Sequence, residues 1–315
     1  MGNVSKNRWN VPAFFFVRYD MAREHRIIKG VILLVAANIF FCLVGILIKS
    51  AAGVGPLRLV FFRFAVGLVL VIAASWLGRF KIEFNDKPLM FIRGLCGGIA
   101  VYIAFLAISK LGLGKGTLLI CCYPIFACLF SMIFLKERLG PLSIVAVVMA
   151  ITGIYFVSSD EGHFSLLDAF GKYEIITLFG AMVAGIAATI IRKLHDTDNS
   201  WSIYTSQCIG GLVIVSAPAL IGPWDISSVQ WLYISGIGLG ATIGQLLMTQ
   251  GFRYVPVRIG SLFALLYPVF AYVAGVLIFG ERISITAVLG AVLVIGACCM
   301  VLAGRRETKD TPEAK

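Results

Sequence analysis

The chain has 315 residues, 59% of them hydrophobic and only 14% charged, with 27 basic against 16 acidic residues and a mean hydropathy of +0.94. Charge this sparse cannot coat a soluble domain, whose surface carries roughly a quarter to a third Lys, Arg, Glu and Asp. The composition therefore excludes a cytosolic nucleotide-fold enzyme, a disulfide-stapled secreted module and a disordered scaffold.

The first 27 residues are basic and aromatic (Trp9, Phe14, Phe15, Phe16, Arg18, Arg23, Arg26) and lack the apolar core and small-residue cleavage site of a signal peptide. Val11 to Val17 suits the membrane interface; translation starting at Met21 is the alternative. A bilayer core needs about 20 apolar residues per helix. Such runs, divided by charged or Gly/Pro breaks, occur at Ile28–Ile48, Leu57–Leu77, Leu89–Ile108, Gly116–Leu135, Leu142–Val157, Tyr173–Ile191, Ile203–Ile221, Val229–Thr249, Val257–Phe279 and Ile285–Ala303. The expected fold is all-α and integral to the membrane, with ten transmembrane helices. The short connections require antiparallel neighbours.

With ten spans both termini share a side. That side collects Lys6, Arg8, Arg18, Arg23, Arg26, Lys29, Arg79, Lys81, Lys87, Arg93, Lys136, Arg138, Arg192, Lys193, Arg253, Arg258, Arg305, Arg306, Lys309 and Lys315, while the opposite side keeps Lys49, Arg58, Lys110, Lys115, Lys172 and Arg282 and its longest loop is acidic (Asp160, Glu161, Asp168). The positive-inside rule then makes both termini cytoplasmic in a multi-pass protein of the cytoplasmic (inner) membrane. The basic excess is a topology signal, and no nucleic-acid partner is expected. The eight cysteines lie in apolar runs without His or acidic residues at ligand spacing; they read as small hydrophobes, and neither metal nor cofactor is expected.

The sequence repeats itself. Gly116-Thr-Leu-Leu-Ile-Cys-Cys-Tyr123-Pro124-Ile-Phe126-Ala127 aligns with Gly260-Ser-Leu-Phe-Ala-Leu-Leu-Tyr267-Pro268-Val-Phe270-Ala271 at an offset of 144 residues, continuing to Glu137-Arg138 against Glu281-Arg282. Lys49 meets Lys193, and Arg63 meets Gln207. The chain thus divides into an N-terminal extension (1–27), a first five-helix repeat (28–158), an extracytoplasmic acidic loop (159–171), a second five-helix repeat (172–303) and a C-terminal tail (304–315). Five helices is an odd number, so the second copy enters the membrane inverted. Inverted repeats around a midplane site are a construction of secondary transporters.

The Tyr-Pro pairs mark Pro124 and Pro268 as hinge or kink positions, because a helical proline frees a carbonyl that lipid does not tolerate. Glu137, Arg138, Glu281 and Arg282 read as gate or helix-end residues. Arg63 is the formal charge clearly inside a span; its task is to bind an anionic group such as a carboxylate or to anchor the bundle. Arg58, Arg93 and Arg258, within a turn or two of helix ends, are expected to snorkel to water. Asn38, Tyr102, Tyr123, Gln245 and Tyr267 complete the candidate substrate-binding set with Arg63. No carboxylate lies in the middle third of a span, which argues against a buried proton relay, with Glu174 and Glu281 the nearest alternatives. There is no phosphate loop for ATP drive.

These residues resemble the drug/metabolite transporter superfamily, EamA type. The carriers are Phe61-Phe62-Arg63-Phe64, Ala104-Phe105-Leu106-Ala107, Pro124 to Glu137, and Leu265-Leu266-Tyr267-Pro268-Val269 to Phe279-Gly280-Glu281, with Gly290 and Gly296 in the closing helix. The resemblance spans residues 28 to 303 and implies two five-helix repeats and no enzymatic activity, while leaving the solute open. Gln207 stands where the first copy has Arg63, so any role of that arginine is not symmetric. The reading is a secondary transporter of a small organic metabolite, an amino acid or derivative favoured, working by alternating access, with a homodimer as a possible assembly. Alternatives are a carrier of nucleoside, S-adenosylmethionine, flavin-like solutes or drugs, and, from another class, a membrane enzyme or lipid flippase.

Overall fold

The computed structural model describes residues 13–78, 80–123, 125–126, 130, 141–158, 171–194, 196–221, 224–254, 266–282 and 284–304. Among these there are ten α-helices and no strand: α1 (Ala13–Ser50), α2 (Pro56–Trp76), α3 (Lys87–Leu111), α4 (Leu113–Ile120), α5 (Pro141–Ser158), α6 (Lys172–Leu194), α7 (Ser200–Leu220), α8 (Ser228–Tyr254), α9 (Leu266–Phe279) and α10 (Ile285–Gly304). Six of them, α1 to α3 and α6 to α8, are long and apolar enough to cross a bilayer. Apolar side chains point outward along the helices, with Val69 on α2 65% exposed and Val292 on α10 64% exposed, as a lipid-facing surface requires.

Local signals explain the helix limits. Pro56 opens α2 behind Gly55, a position where its missing N–H has no helical partner to lose. Asp86 caps α3 by accepting the Leu89 N–H at 3.2 Å, and Asn199 caps α7 by accepting the Ser202 N–H at 2.9 Å. Gly112, at φ +89°, turns the chain between α3 and α4 in a conformation closed to most other residues. Hydroxyls inside the helices bond to their own backbone, as Thr117 does to the Leu113 carbonyl at 2.6 Å and Thr242 to that of Gly238 at 2.8 Å. In that way they need no water.

Two helices differ from the sequence expectation. The first apolar span covers Ile27–Ser50, as expected, but α1 itself continues back to Ala13, since nothing between the two positions breaks a helix. In the fourth run the described helix ends at Ile120. The Cys122 N–H then bonds to the Leu119 carbonyl at 3.2 Å, a tightened i to i+3 spacing immediately before Tyr123.

The halves interleave. α1 packs on α8, and α6 on α3; α2 packs on α7 and α8, and α3 on α7; α4 packs on α9; α5 packs on α10. The main core gathers Val44, Ile48, Leu59, Val60, Phe64, Phe105, Leu113, Tyr204, Cys208, Ile237 and Ala271 from seven helices. Where α3 crosses α7 the backbones touch. A Cβ on Gly94 would come within 2.5 Å of the Ser206 carbonyl oxygen, and one on Gly98 within 2.7 Å of the Gly211 Cα. Small residues make this close approach possible.

Loops tie the halves at both ends. Near the α2–α3 connection the Asn85 N–H donates to Asp198 at 2.8 Å, Asn85 Nδ2 donates to the Thr197 carbonyl at 2.8 Å, and Asn199 Nδ2 to the Lys81 carbonyl at 3.0 Å. At the other end Gln230 Nε2 donates to the Ala52 carbonyl at 3.0 Å and Arg58 Nη2 to that of Ile221 at 3.2 Å.

Candidate functional site

α2 carries Arg63 into the core, where its side chain is buried. The Phe64 and Phe105 rings lie 5.7 and 5.4 Å from its guanidinium carbon. Tyr204, Cys208 and Tyr267 lie within its electrostatic reach. Its Nε has no hydrogen-bond partner, and neither described ion pair involves it. A charge held at membrane depth without a carboxylate is costly. Aromatic faces offset only part of that cost.

The structure brings Tyr267 near this guanidinium and Tyr102 to the same core, while Asn38 and Gln245 are buried on α1 and α8. Tyr267, in the first turn of the described part of α9, packs edge-on against Phe41 of α1 with ring centroids 6.1 Å apart. Its hydroxyl lies 3.6 Å from where a Cβ on Gly45 would stand. Asn38 lies on the same face of α1 as Phe41 and Gly45 and is buried, donating from Nδ2 to the Leu34 carbonyl at 2.7 Å. Gln245 is buried on α8, beside Gly244, whose missing side chain leaves room for Phe40 and Phe41. Tyr102 borders the same core on α3. Tyr123 borders a second cluster, with Leu118, Cys122 and Tyr272, apart from the Arg63 core.

Pro268 is buried in the described first turn of α9, and the preceding residues that a kink would involve lie outside the described residues. Pro124, Glu137 and Arg138 also lie outside them, as does Arg258. Arg282 is exposed. Glu281 pairs with Lys49 and accepts the N–H groups of Leu113 and Gly114 at 2.7 and 3.1 Å.

Arg93 departs from expectation. It does not reach water: it is buried, and its Nη2 donates to Gln207 Oε1 at 3.0 Å across the α3–α7 crossing. Gly97 on its own helix leaves the space in which the guanidinium lies. α3 begins at Lys87, so Arg93 enters almost two turns inside, where α7 covers it. Sequence reasoning also passed over Tyr204, which is fully buried and shares a 3.0 Å hydrogen bond with Thr242. The signal was the spacing of Tyr204, Gln207, Cys208 and Gly211, which puts polar and small residues on one helical face.

A family model described as the EamA-like transporter family matches the chain twice, over residues 28–159 and 171–303. The chain belongs to the EamA-like transporter family. It is accordingly a multi-pass membrane transporter. Among its relatives, the pseudopaline exporter CntI of Pseudomonas aeruginosa is 24% identical over 273 residues, covering 86% of this chain and 94% of that protein. Solute carrier family 35 member G1 of Mus musculus is 22% identical over 279 residues, covering 84% and 76%. A solved crystal structure superposes with a TM-score of 0.60 at 18% identity over 88% of this EamA-like chain and 98% of its own, a likeness of fold.

Proposed function

We propose that this EamA-like chain is a secondary transporter of a small carboxylate-bearing metabolite, an amino acid or derivative, working by alternating access with the solute held beside Arg63. The observation that carries the reading is the buried Arg63 guanidinium, flanked by Phe105, Tyr204 and Tyr267 and free of any described acidic partner. A carboxylate supplies the missing counter-charge and bonds in a geometry that a guanidinium favours. The tyrosines and Asn38 suit the rest of a mixed polar and flat body.

The inverted five-helix repeat is supported by the two family matches and by the packing pattern. Exchanging α1 with α6, α2 with α7, α3 with α8, α4 with α9 and α5 with α10 turns the α1–α8 contact into α6–α3. The same exchange turns α2–α8 into α7–α3 and α1–α9 into α6–α4, and all of these contacts occur. Two inverted halves around one site are what rocking between two access states needs. The loop charges favour the cytoplasmic membrane, with both termini inside and Lys49 on the outer face.

The test is thermal stabilisation of the detergent-purified protein across a metabolite panel. A ligand at about 100 times its Kd adds roughly 2.7 kcal/mol. The expected result is a shift with carboxylate solutes that disappears in Arg63→Gln, together with loss of their flux in vesicles at equal membrane expression. Unchanged flux in Arg63→Gln overturns the assignment.

A further inference from the structure

On the face that bears Lys49, two carboxylates from the C-terminal half converge on the first three residues of α4. Glu281, just past α9, accepts the Leu113 N–H at Oε1 (2.7 Å) and the Gly114 N–H at Oε2 (3.1 Å), and also pairs with Lys49 at the end of α1. Glu174, in the first turn of α6, pairs with Lys115 at 2.8 Å.

The backbone is shaped around the Glu281 contact. Gly112 precedes α4 at φ +89°, and a Cβ there would lie 2.7 Å from Glu281 Oε1. Gly280 at φ +61° turns the chain after α9, letting the Glu281 N–H donate to the Gly275 carbonyl at 3.1 Å. A carboxylate on the amides of a helix N-terminus meets both the unpaired donors and the positive end of the dipole. Behind this tip, Thr117, Leu118 and Leu119 are sealed from solvent.

The joints between the halves differ in kind. The α3–α7 crossing is backbone against backbone, whereas the loop bonds between the halves, Asn85 to Asp198 and Gln230 to Ala52, are part-buried or exposed polar contacts. The α4 tip is held by partly exposed polar contacts, with the Glu281 and Glu174 side chains 19% and 11% accessible. Such contacts can be exchanged for water without tearing apolar packing.

We infer that Glu281 and Glu174 form a latch that closes the bundle on the Lys49 face, with the tip of α4 as the part that swings free when that face opens. The latch rests on the transport reading above and adds to it the residues that set which face is shut. Because Glu281 holds backbone amides as well as Lys49, a carboxylate is required at that position; an opposite-charge pair alone does not suffice.

The test places a reporter cysteine at Thr117 in a background freed of the native cysteines, and measures its labelling by a membrane-impermeant maleimide in sealed vesicles of either orientation. Labelling from the Lys49 side is expected to be slow with the latch intact. In Glu281→Gln it should rise about tenfold, the shift that loss of roughly 1.4 kcal/mol of differential stabilisation produces. Glu174→Gln should give a smaller rise. The exchanged pair Lys49→Glu with Glu281→Lys should remain fast, since lysine cannot accept the two amides. Glu281→Asp, which keeps the charge on a shorter arm, guards against misfolding of the other variants and should fall between wild type and Glu281→Gln. Unchanged labelling in the Glu281→Gln/Glu174→Gln double variant, or slow labelling in the exchanged pair, overturns the latch. The readout needs no solute, so either result would leave the Arg63 flux experiment to judge transport by itself.

Discussion

The Tyr204 hydroxyl and the Thr242 hydroxyl lie 3.0 Å apart, joining α7 to α8 inside the Arg63 core. Thr242 also donates to the Gly238 carbonyl at 2.8 Å, so it keeps a partner when Tyr204 loses its oxygen. Tyr204→Phe should therefore cost about 1 kcal/mol, the scale of interhelical hydrogen bonds in membranes. Tyr204→Ala, which empties a fully buried site, should cost about 3–5 kcal/mol. Thermal unfolding in a fixed detergent measures both, and equal losses would refute the ranking.

Gln207 leaves Arg93 in a different position. Gln207→Leu removes the acceptor of a buried guanidinium whose Nε and Nη1 already lack partners. The expected loss is about 2 kcal/mol, since bonds to charged groups are the stronger ones. Combining it with Arg93→Met should recover much of that, because an apolar pair replaces a stranded charge. A double-mutant cycle with no recovery would refute this account.

Glycine substitutions divide by location. Gly94→Ala drives a methyl into the Ser206 carbonyl on α7, a backbone atom that cannot turn aside, and should cost roughly 1–3 kcal/mol as overpacking. Gly55→Ala meets no atom within 4 Å and should leave the melting temperature almost unchanged. Similar shifts for the two would argue against a close α3–α7 crossing.

Two carboxylates outside the spans set the acid limit. For Glu281, burial pushes the carboxyl up, but the Lys49 hydrogen bond, the Leu113 and Gly114 amides and the Lys49 charge together hold it below its ordinary value. For Asp198, burial again pushes up, while the Asn85 amide, the Thr197 hydroxyl and the Asp86 amide pull it below. Groups lowered in the folded state stabilise it above their unfolded pKa and lose that contribution as pH falls through the folded value. Stability should then be flat from neutrality to about pH 5 and fall below about pH 4, where carboxylates ordinarily titrate. In Glu281→Gln the acid loss should be smaller; an undiminished loss would refute a role for that carboxyl.

The apolar runs were legible because lipid demands about 20 consecutive apolar residues whatever their neighbours, and α2, α7 and α10 fall within a few residues of them. Arg63 stood out because it lies six residues inside the Leu57–Leu77 run, whereas Arg93 lies only four inside Leu89–Ile108. Arg93 did not, because its depth was judged along its own helix, whereas its burial comes from α7, brought close by Gly94 and Gly98. The partner of Glu281 was equally hidden. The carboxylate is visible in the sequence, but Leu113 and Gly114 lie 168 and 167 residues away, and only the fold brings them to it.

Arg93 and Gln207 are separated by 114 residues. A ribosome adding about 5–20 residues per second leaves the arginine in the growing protein for roughly 6–23 seconds before its acceptor has been made. During that interval the guanidinium must rest near headgroups or bond within the first-made helices. Final docking of α3 against α7 is therefore a late event in biogenesis, and a chain cut between residues 158 and 171 would yield an N-terminal fragment whose lifetime depends on how soon its other half arrives.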